Sequence, residues 1–302
     1  MDVGLLWIPA TLIASVGQVA RNTMQRRLTE TIGTAGATQV RFVYGFPFAL
    51  VFLALVLLIS GEPLPGPGAG FAPFLLLGSV TQILATATML AAMRLRSFSV
   101  VTAVLKTEAI QIAAFGFVVL GDRLPPLALA AIVTATLGVV LVSWSPRVSG
   151  ELGQGGWRPI LLGIGSGALF AISTVGFRGA ILAFDSGSFV ARATTTLAWS
   201  LGLQTTILGI WLAFFDRAAL AGSLRHWRTS LSAGFVGAAA SQFWFIGFAL
   251  TAAANVRTLA LVEVVLAQIV SRRIMAQETS RRELGGMALI VIGVIVLLLT
   301  SR

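Results

Sequence analysis

The chain is 302 residues long, 57% hydrophobic and only 11% charged, with a mean hydropathy of +0.93. Soluble domains carry about 25% charged residues, so an ordinary soluble fold is excluded. Cysteine is absent and histidine occurs once, at His226, which excludes disulfides and leaves no ligand set for a zinc site. The net charge of +10 is not a nucleic-acid signature. Its basic residues stand singly or in pairs between apolar runs, the placement of loop arginines in a polytopic membrane protein.

About 20 apolar residues at 1.5 Å rise each cross a bilayer. That rule predicts ten helices, at 3–20, 38–59, 71–93, 99–120, 125–144, 159–183, 188–214, 229–253, 256–276 and 284–300. The first residues are acidic, with no basic region or small-residue cleavage site, so the first span is expected to be retained. Turn chemistry marks the breaks: Gly-Glu-Pro-Leu-Pro-Gly-Pro-Gly at 61–68, and Gly121-Asp122-Arg123 followed by Pro125-Pro126. The longest polar break runs from Ser145 to Arg158. It divides the chain into expected units at 1–146 and 159–302, joined by a linker at 147–158.

The two units look like copies. At an offset of 155 residues Gly138-Val139-Val140-Leu141-Val142 falls on Gly293-Val294-Ile295-Val296-Leu297. The same offset sends Glu108 to Glu263 and Thr86 to Ser241, and Thr11, Ser15, Gln18 and Asn22 to Ser166, Phe170, Ser173 and Phe177. Asp122 meets Glu278 after a one-residue slip. Five helices per copy is odd, so the second copy enters the membrane from the opposite side. The expected fold is all-α: ten transmembrane helices in two inverted five-helix repeats, with a binding site near the midplane between them.

Arginine placement sets an expected orientation. The breaks after helices 1, 3, 5, 7 and 9 take fourteen basic residues and the other side takes four, Arg123, Arg178, Arg257 and Arg302. Both termini are therefore expected outside the cytoplasm. Arg41, Lys106 and Arg192 fall within spans.

These features resemble a known family. Met89-Leu90-Ala91-Ala92-Met93, the corner Leu120-Gly121-Asp122-Arg123-Leu124 and the Gly-rich fifth span resemble the EamA module of the drug/metabolite transporter superfamily. Phe248-Ala249-Leu250, Gln277-Glu278-Thr279 and Gly293-Val294-Ile295 repeat the pattern. Arg41 resembles the arginine common in that family's second helix, and Arg192 echoes it. Lys106-Thr107-Glu108 is most similar to the YddG-type amino-acid exporters. One departure is Ala109 and Val264, where many members carry proline. The other is the outside placement of the termini.

An ionisable residue deep in a span is costly and is a functional candidate by default. Lys106 is the only lysine in the chain. Two residues from Glu108, it points about 200° away on a helix, so the two cannot pair directly. Lys106 is a candidate for meeting a substrate carboxylate. Glu108 and Glu263, related by the repeat, are candidates for structural or gating roles, as are Asp122 and Glu278 at the corners.

Polar stripes at helical spacing add Gln18, Gln82, Thr86, Met89, Phe170, Ser173, Ser241 and Gln242 as candidate substrate contacts, with Trp244 and Phe245 as an aromatic wall. For each Ser and Thr the competing role is helix–helix hydrogen bonding, worth about 0.6 kcal/mol apiece in a membrane. For Trp244 and Phe245 it is packing or lipid contact.

The resemblance and these stripes imply a secondary transporter, not an enzyme. It would export amino acids, aromatic or of broad range, and related metabolites across a bacterial-type inner membrane. No nucleotide motif is present: Gly163-Ile164-Gly165-Ser166-Gly167 lacks the strand before it and the lysine after it. No cofactor, metal or nucleic-acid partner is expected; the bilayer and a small solute are. Two other readings stay open. Lipophilic-cation efflux would want a carboxylate in the first span, which has none after Asp2, and a membrane-embedded enzyme would have only Lys106, Glu108 and Glu263 for acid–base work.

Overall fold

Gly33 folds the first long helix back on itself. Its backbone stands at φ 71°, ψ 175°, a conformation glycine tolerates and other residues rarely adopt. The run Trp7–Ser60 is 54 residues of nearly continuous helix, about 80 Å if straight, against a hydrocarbon core of about 30 Å. Across the bend, the Gln25 side-chain amide donates to the carbonyl of Ala37 at 3.1 Å, a contact no straight helix allows. The two arms, 7–32 and 34–60, are each long enough to cross.

The computed structural model describes residues 3–95, 101, 104–143, 158–265 and 281–300. Its helices are α1 (Trp7–Val43), α2 (Gly45–Ser60), α3 (Phe71–Leu95), α4 (Glu108–Leu120), α5 (Pro126–Ser143), α6 (Arg158–Leu182), α7 (Phe189–Phe215), α8 (Arg217–Arg225), α9 (Trp227–Leu250), α10 (Ala253–Leu259) and α11 (Arg281–Thr300). Among the described residues the only sheet-like pairing is an isolated bridge from Pro67 to Phe184. Among the described residues, six stretches are long and apolar enough to cross a membrane, and α4 and α5 are shorter apolar helices. Leu58, Ile59, Val118, Phe214 and Phe215 lie exposed on the outer faces, as residues facing lipid would. The chain is an all-α, multi-pass membrane protein.

Four differences from the sequence expectation stand out. First, helix continues from Ala20 to Ile32, where a loop is expected. Arg21, Asn22, Gln25 and Thr29 are polar enough to look like a break, yet they recur at helical spacing and all are buried, so this stretch has an inward face. Second, 99–120 is not one helix. Lys106 and Thr107 form a turn, and the Thr107 amide reaches only to the carbonyl of Val104, at 3.2 Å. Third, 256–276 is interrupted as well. A turn at Ala260–Leu261 follows α10, with tight three-residue bonds from Leu261 to Thr258 and from Glu263 to Ala260, both 3.1 Å. Fourth, helix α8 fills a region expected to be loop.

The closest helix pairings are α3 with α6, α1 with α9, and α5 with α11. Small residues permit them. A Cβ on Gly138 would sit 2.6 Å from the Gly286 carbonyl, and one on Gly293 would sit 2.7 Å from that of Ala131. Backbones in such contact gain van der Waals energy that lipid cannot supply. Residues 60–70 lie along the α6–α7 connection: the Gly68 amide donates to the Ala183 carbonyl at 2.8 Å, and Glu62 accepts from the Ser188 amide at 2.9 Å.

Candidate functional site

The two interrupted helices meet across a cavity. It holds about 50 Å³ of space for water centres, several times what one water requires. Lys106, at the first break, pairs with Glu263, just past the second. In return Arg257 of α10 pairs with Glu108, the first residue of α4, at 3.2 Å. Each broken helix thus supplies one cation and one carboxylate, and each takes its counter-ion from the other. This answers why Lys106 and Glu108 tolerate burial despite pointing apart: their partners come from the opposite half of the chain.

Arg257 is also fixed by neutral groups. Its Nη1 donates to the Gln18 side-chain oxygen at 3.4 Å, and its guanidinium carbon lies 4.3 Å from the centre of the Trp244 ring. Cation–π contact of this kind stabilises a desolvated arginine by about 2 kcal/mol. Trp244 stacks on Phe248 at 6.1 Å, and Phe177 lies 4.9 Å from Phe245. These four rings form one apolar wall.

Two more arginines face the cavity from the first half. Arg21, on the inward face of α1, hydrogen-bonds the Asn22 side chain through Nε and Nη2 at 3.2 and 3.0 Å. Arg41, beyond the Gly33 bend, donates to the Thr86 hydroxyl of α3 at 2.8 Å. Among the described residues, neither has a carboxylate partner.

The sequence candidates separate into groups. Gln18, Gln82, Met89, Lys106, Phe170, Ser241, Trp244 and Phe245 line the cavity, with Glu108 and Glu263. Thr86 stands behind Arg41 and orients it. Ser173 donates to the Gly78 carbonyl at 2.9 Å, joining α6 to α3, and Gln242 donates to the Thr194 hydroxyl at 2.7 Å; both are bonds between helices. Gln82 also accepts from Gln204 at 2.8 Å. Asp122 lies away from the cavity, gripped by both Nε and Nη2 of Arg178 at 3.2 and 3.1 Å. Glu278 lies outside the described residues.

Three cavity arginines are absent from the list of candidates. Arg21 falls in an expected break and Arg257 at the end of the expected helix 256–276, yet both are buried and line the cavity. Arg41 is noted only as a family-like arginine within a span. Burial at a helical spacing shared with Gln18 and Asn22 is the signal that points Arg21 inward. Arg192, its supposed echo, does not line the cavity.

Comparison with known proteins gives a partial match. Among curated proteins none matches this chain. One solved crystal structure superposes over 100% of this chain and 97% of its own, with a TM-score of 0.66 at 16% identity; the chain has that protein's fold. Residues 4–144 match the EamA-like transporter family. That stretch contains the Gly33 bend, the broken lead into α4, and Arg21, Arg41, Lys106 and Glu108. The first half of the chain is therefore similar to an EamA-like transporter domain.

Proposed function

We propose that the protein is a secondary transporter in which two five-helix halves, at 1–146 and 159–302, alternate access to the central cavity. The observation that carries this reading is the reciprocal pairing of Lys106 with Glu263 and Arg257 with Glu108 across the two interrupted helices. Interrupted helices at corresponding positions of two repeats characterise transporter binding sites. The turn at 260–261 lies 154 residues beyond that at 106–107, within one residue of the repeat offset, and both breaks fall just ahead of a repeat-related glutamate.

Packing supports a two-fold relation between the halves, as inverted copies would have. Adding 155 to the contact of Gly138 with Gly286, taken in opposite order, yields the contact of Gly293 with Ala131. The α3–α6 pairing maps in the same way onto α9–α1. Ten spans accommodate these elements together with the chain between them.

The solute is a small metabolite carrying a carboxylate, with amino acids as the class, and the direction is export across the inner membrane. Cations at the cavity supply the carboxylate contact and the ring wall suits an apolar side chain. With the buried Arg21 and Arg257 left out of the count, thirteen basic residues against three favour both termini outside the cytoplasm. Efflux of lipophilic cations is disfavoured, because four of the six ionisable residues at the cavity are cationic.

Flux tests the reading. Proteoliposomes loaded with labelled amino acids should lose label faster than protein-free vesicles, with unlabelled solute outside accelerating exchange. Equal loss from both, over a panel that includes acidic, neutral and aromatic amino acids, would remove amino-acid transport as the function.

A further inference from the structure

Among the described residues the charges around the cavity do not balance. Arg21, Arg41, Lys106 and Arg257 face Glu108 and Glu263, which leaves two positive charges in excess. Lys106 and Arg257 are each in an ion pair with a glutamate, whereas Arg21 shares the more distant field of both glutamates and Arg41 has no carboxylate beside it, so the excess is centred on these two arginines. Both are withdrawn from solvent, at 2% and 4% exposure. Holding an uncompensated charge in such a place costs several kcal/mol.

Hydrogen-bond capacity has the same sign. Arg21 Nη1, Arg41 Nε, Arg257 Nε and Trp244 Nε1 are buried at the cavity-lining residues without an acceptor, and Glu263 Oε2 is the one unmatched acceptor among them. Buried polar groups in native proteins almost always find partners. Four free donors against one free acceptor call for an occupant that mainly accepts. Guanidinium groups supply fixed forks matched to carboxylate and phosphate oxygens.

We infer that the cavity binds a small organic dianion, whose two negative charges are met by Arg21 and Arg41. A zwitterionic amino acid adds no net charge and leaves the excess in place, whereas a dianion cancels it. Its acceptors take the free N–H groups of Arg21 and Arg41, with Trp244 donating at the aromatic wall. A dicarboxylate and a phosphate monoester share this chemistry. The inference rests on the cavity being the transport site, and it moves the solute from amino acids to doubly charged members of the related carboxylate- or phosphate-bearing metabolites.

The test is binding to the full-length protein in detergent, read by thermal unfolding and by titration calorimetry with succinate, succinate monomethyl ester, glycerol phosphate and L-phenylalanine. Succinate, glycerol phosphate or both should raise the unfolding temperature. The preferred dianion should bind at least ~10-fold tighter than the singly charged ester, a difference of about 1.4 kcal/mol. Preference between succinate and glycerol phosphate tells the two dianion sources apart. Arg41→Gln should remove the preference for charge, while Arg41→Lys retains part of it. Should neither variant fold, the comparison of succinate with its monoester on the unaltered protein decides alone.

Tighter binding of phenylalanine, or equal binding of ester and diacid with no response to glycerol phosphate, would overturn the inference. Flux of neutral amino acids without dianion binding sinks the inference and leaves transport standing. Dianion binding without flux of any solute sinks transport and leaves the binding site. Neither binding nor flux defeats both.

Discussion

At the scale of single residues, the account depends on which charges are matched. Lys106 and Glu263 are both largely buried, and removing one leaves the other without its counter-ion. Truncating one partner of a buried pair costs about 3 kcal/mol, whereas replacing both with apolar residues of similar volume is close to neutral. Lys106→Met should therefore lower the unfolding temperature markedly, and Lys106→Met with Glu263→Leu should recover most of the loss. The measurement is a double-mutant cycle on thermal unfolding in detergent. Additive losses would show that the two side chains do not depend on one another.

A second residue-scale prediction concerns Arg178. It grips Asp122 at the corner after α4 and donates Nη1 to the carbonyls of Phe248 and Thr251 at 2.7 and 2.8 Å. One guanidinium thus ties the first half to two helices of the second, at the opposite end of α4 from the Lys106 break. Asp122→Asn keeps the shape but removes the charge. It should weaken this clasp by about 1.5–3 kcal/mol, the worth of a hydrogen bond to a charged group, and raise exchange rates in vesicles if opening there limits transport. An unaltered unfolding temperature would show that Asp122 contributes nothing to holding the halves together.

At the scale of elements, α5 and α11 form the most symmetrical contact. Their backbones meet at Gly138 with Gly286 and at Gly293 with Ala131, leaving no space for a larger side chain. Gly138→Val or Gly293→Val should destabilise by about 1–3 kcal/mol through overpacking, with similar effects at both sites because they occupy equivalent positions. Thermal unfolding of the two variants side by side checks this.

The Gly138 and Gly293 repeat is plain in the sequence, since both sit in matching apolar runs, and so are most spans. What hydropathy cannot show is how an apolar run is interrupted from within. The turns at Lys106–Thr107 and Ala260–Leu261 contain no proline or glycine. They arise where charged partners from another helix and three-residue hydrogen bonds replace regular helix, a tertiary effect. Arg21 and Arg257 are hidden for a related reason. Averaged over a window, a buried arginine and a loop arginine look alike, and only the face it occupies on a helix, with Asn22 and Gln25 beside Arg21, separates them. Lys106, Glu108 and Glu263 are legible because a charge inside an apolar run stands out by itself, while their pairing across 157 residues requires the fold.

At the scale of the whole molecule, the site is assembled from both halves. The first supplies Arg21, Arg41, Lys106 and Glu108, and the second supplies the aromatic wall, Arg257 and Glu263. Any relative movement of the halves must rearrange the two cross-pairs, which makes them suitable for linking occupancy to access. A solute that engages the cavity cations contributes a differential interaction between open and closed states, and only such a difference shifts the equilibrium between them.

The absence of cysteine makes the central claim directly testable. Ser241→Cys places one thiol at the cavity in a background free of others. Membrane-impermeant thiol reagents can then be applied to the two sides of sealed vesicles in turn, with and without saturating solute. Alternating access predicts labelling from either side and protection from both by bound solute. Labelling from one side alone, whatever the solute, would contradict it.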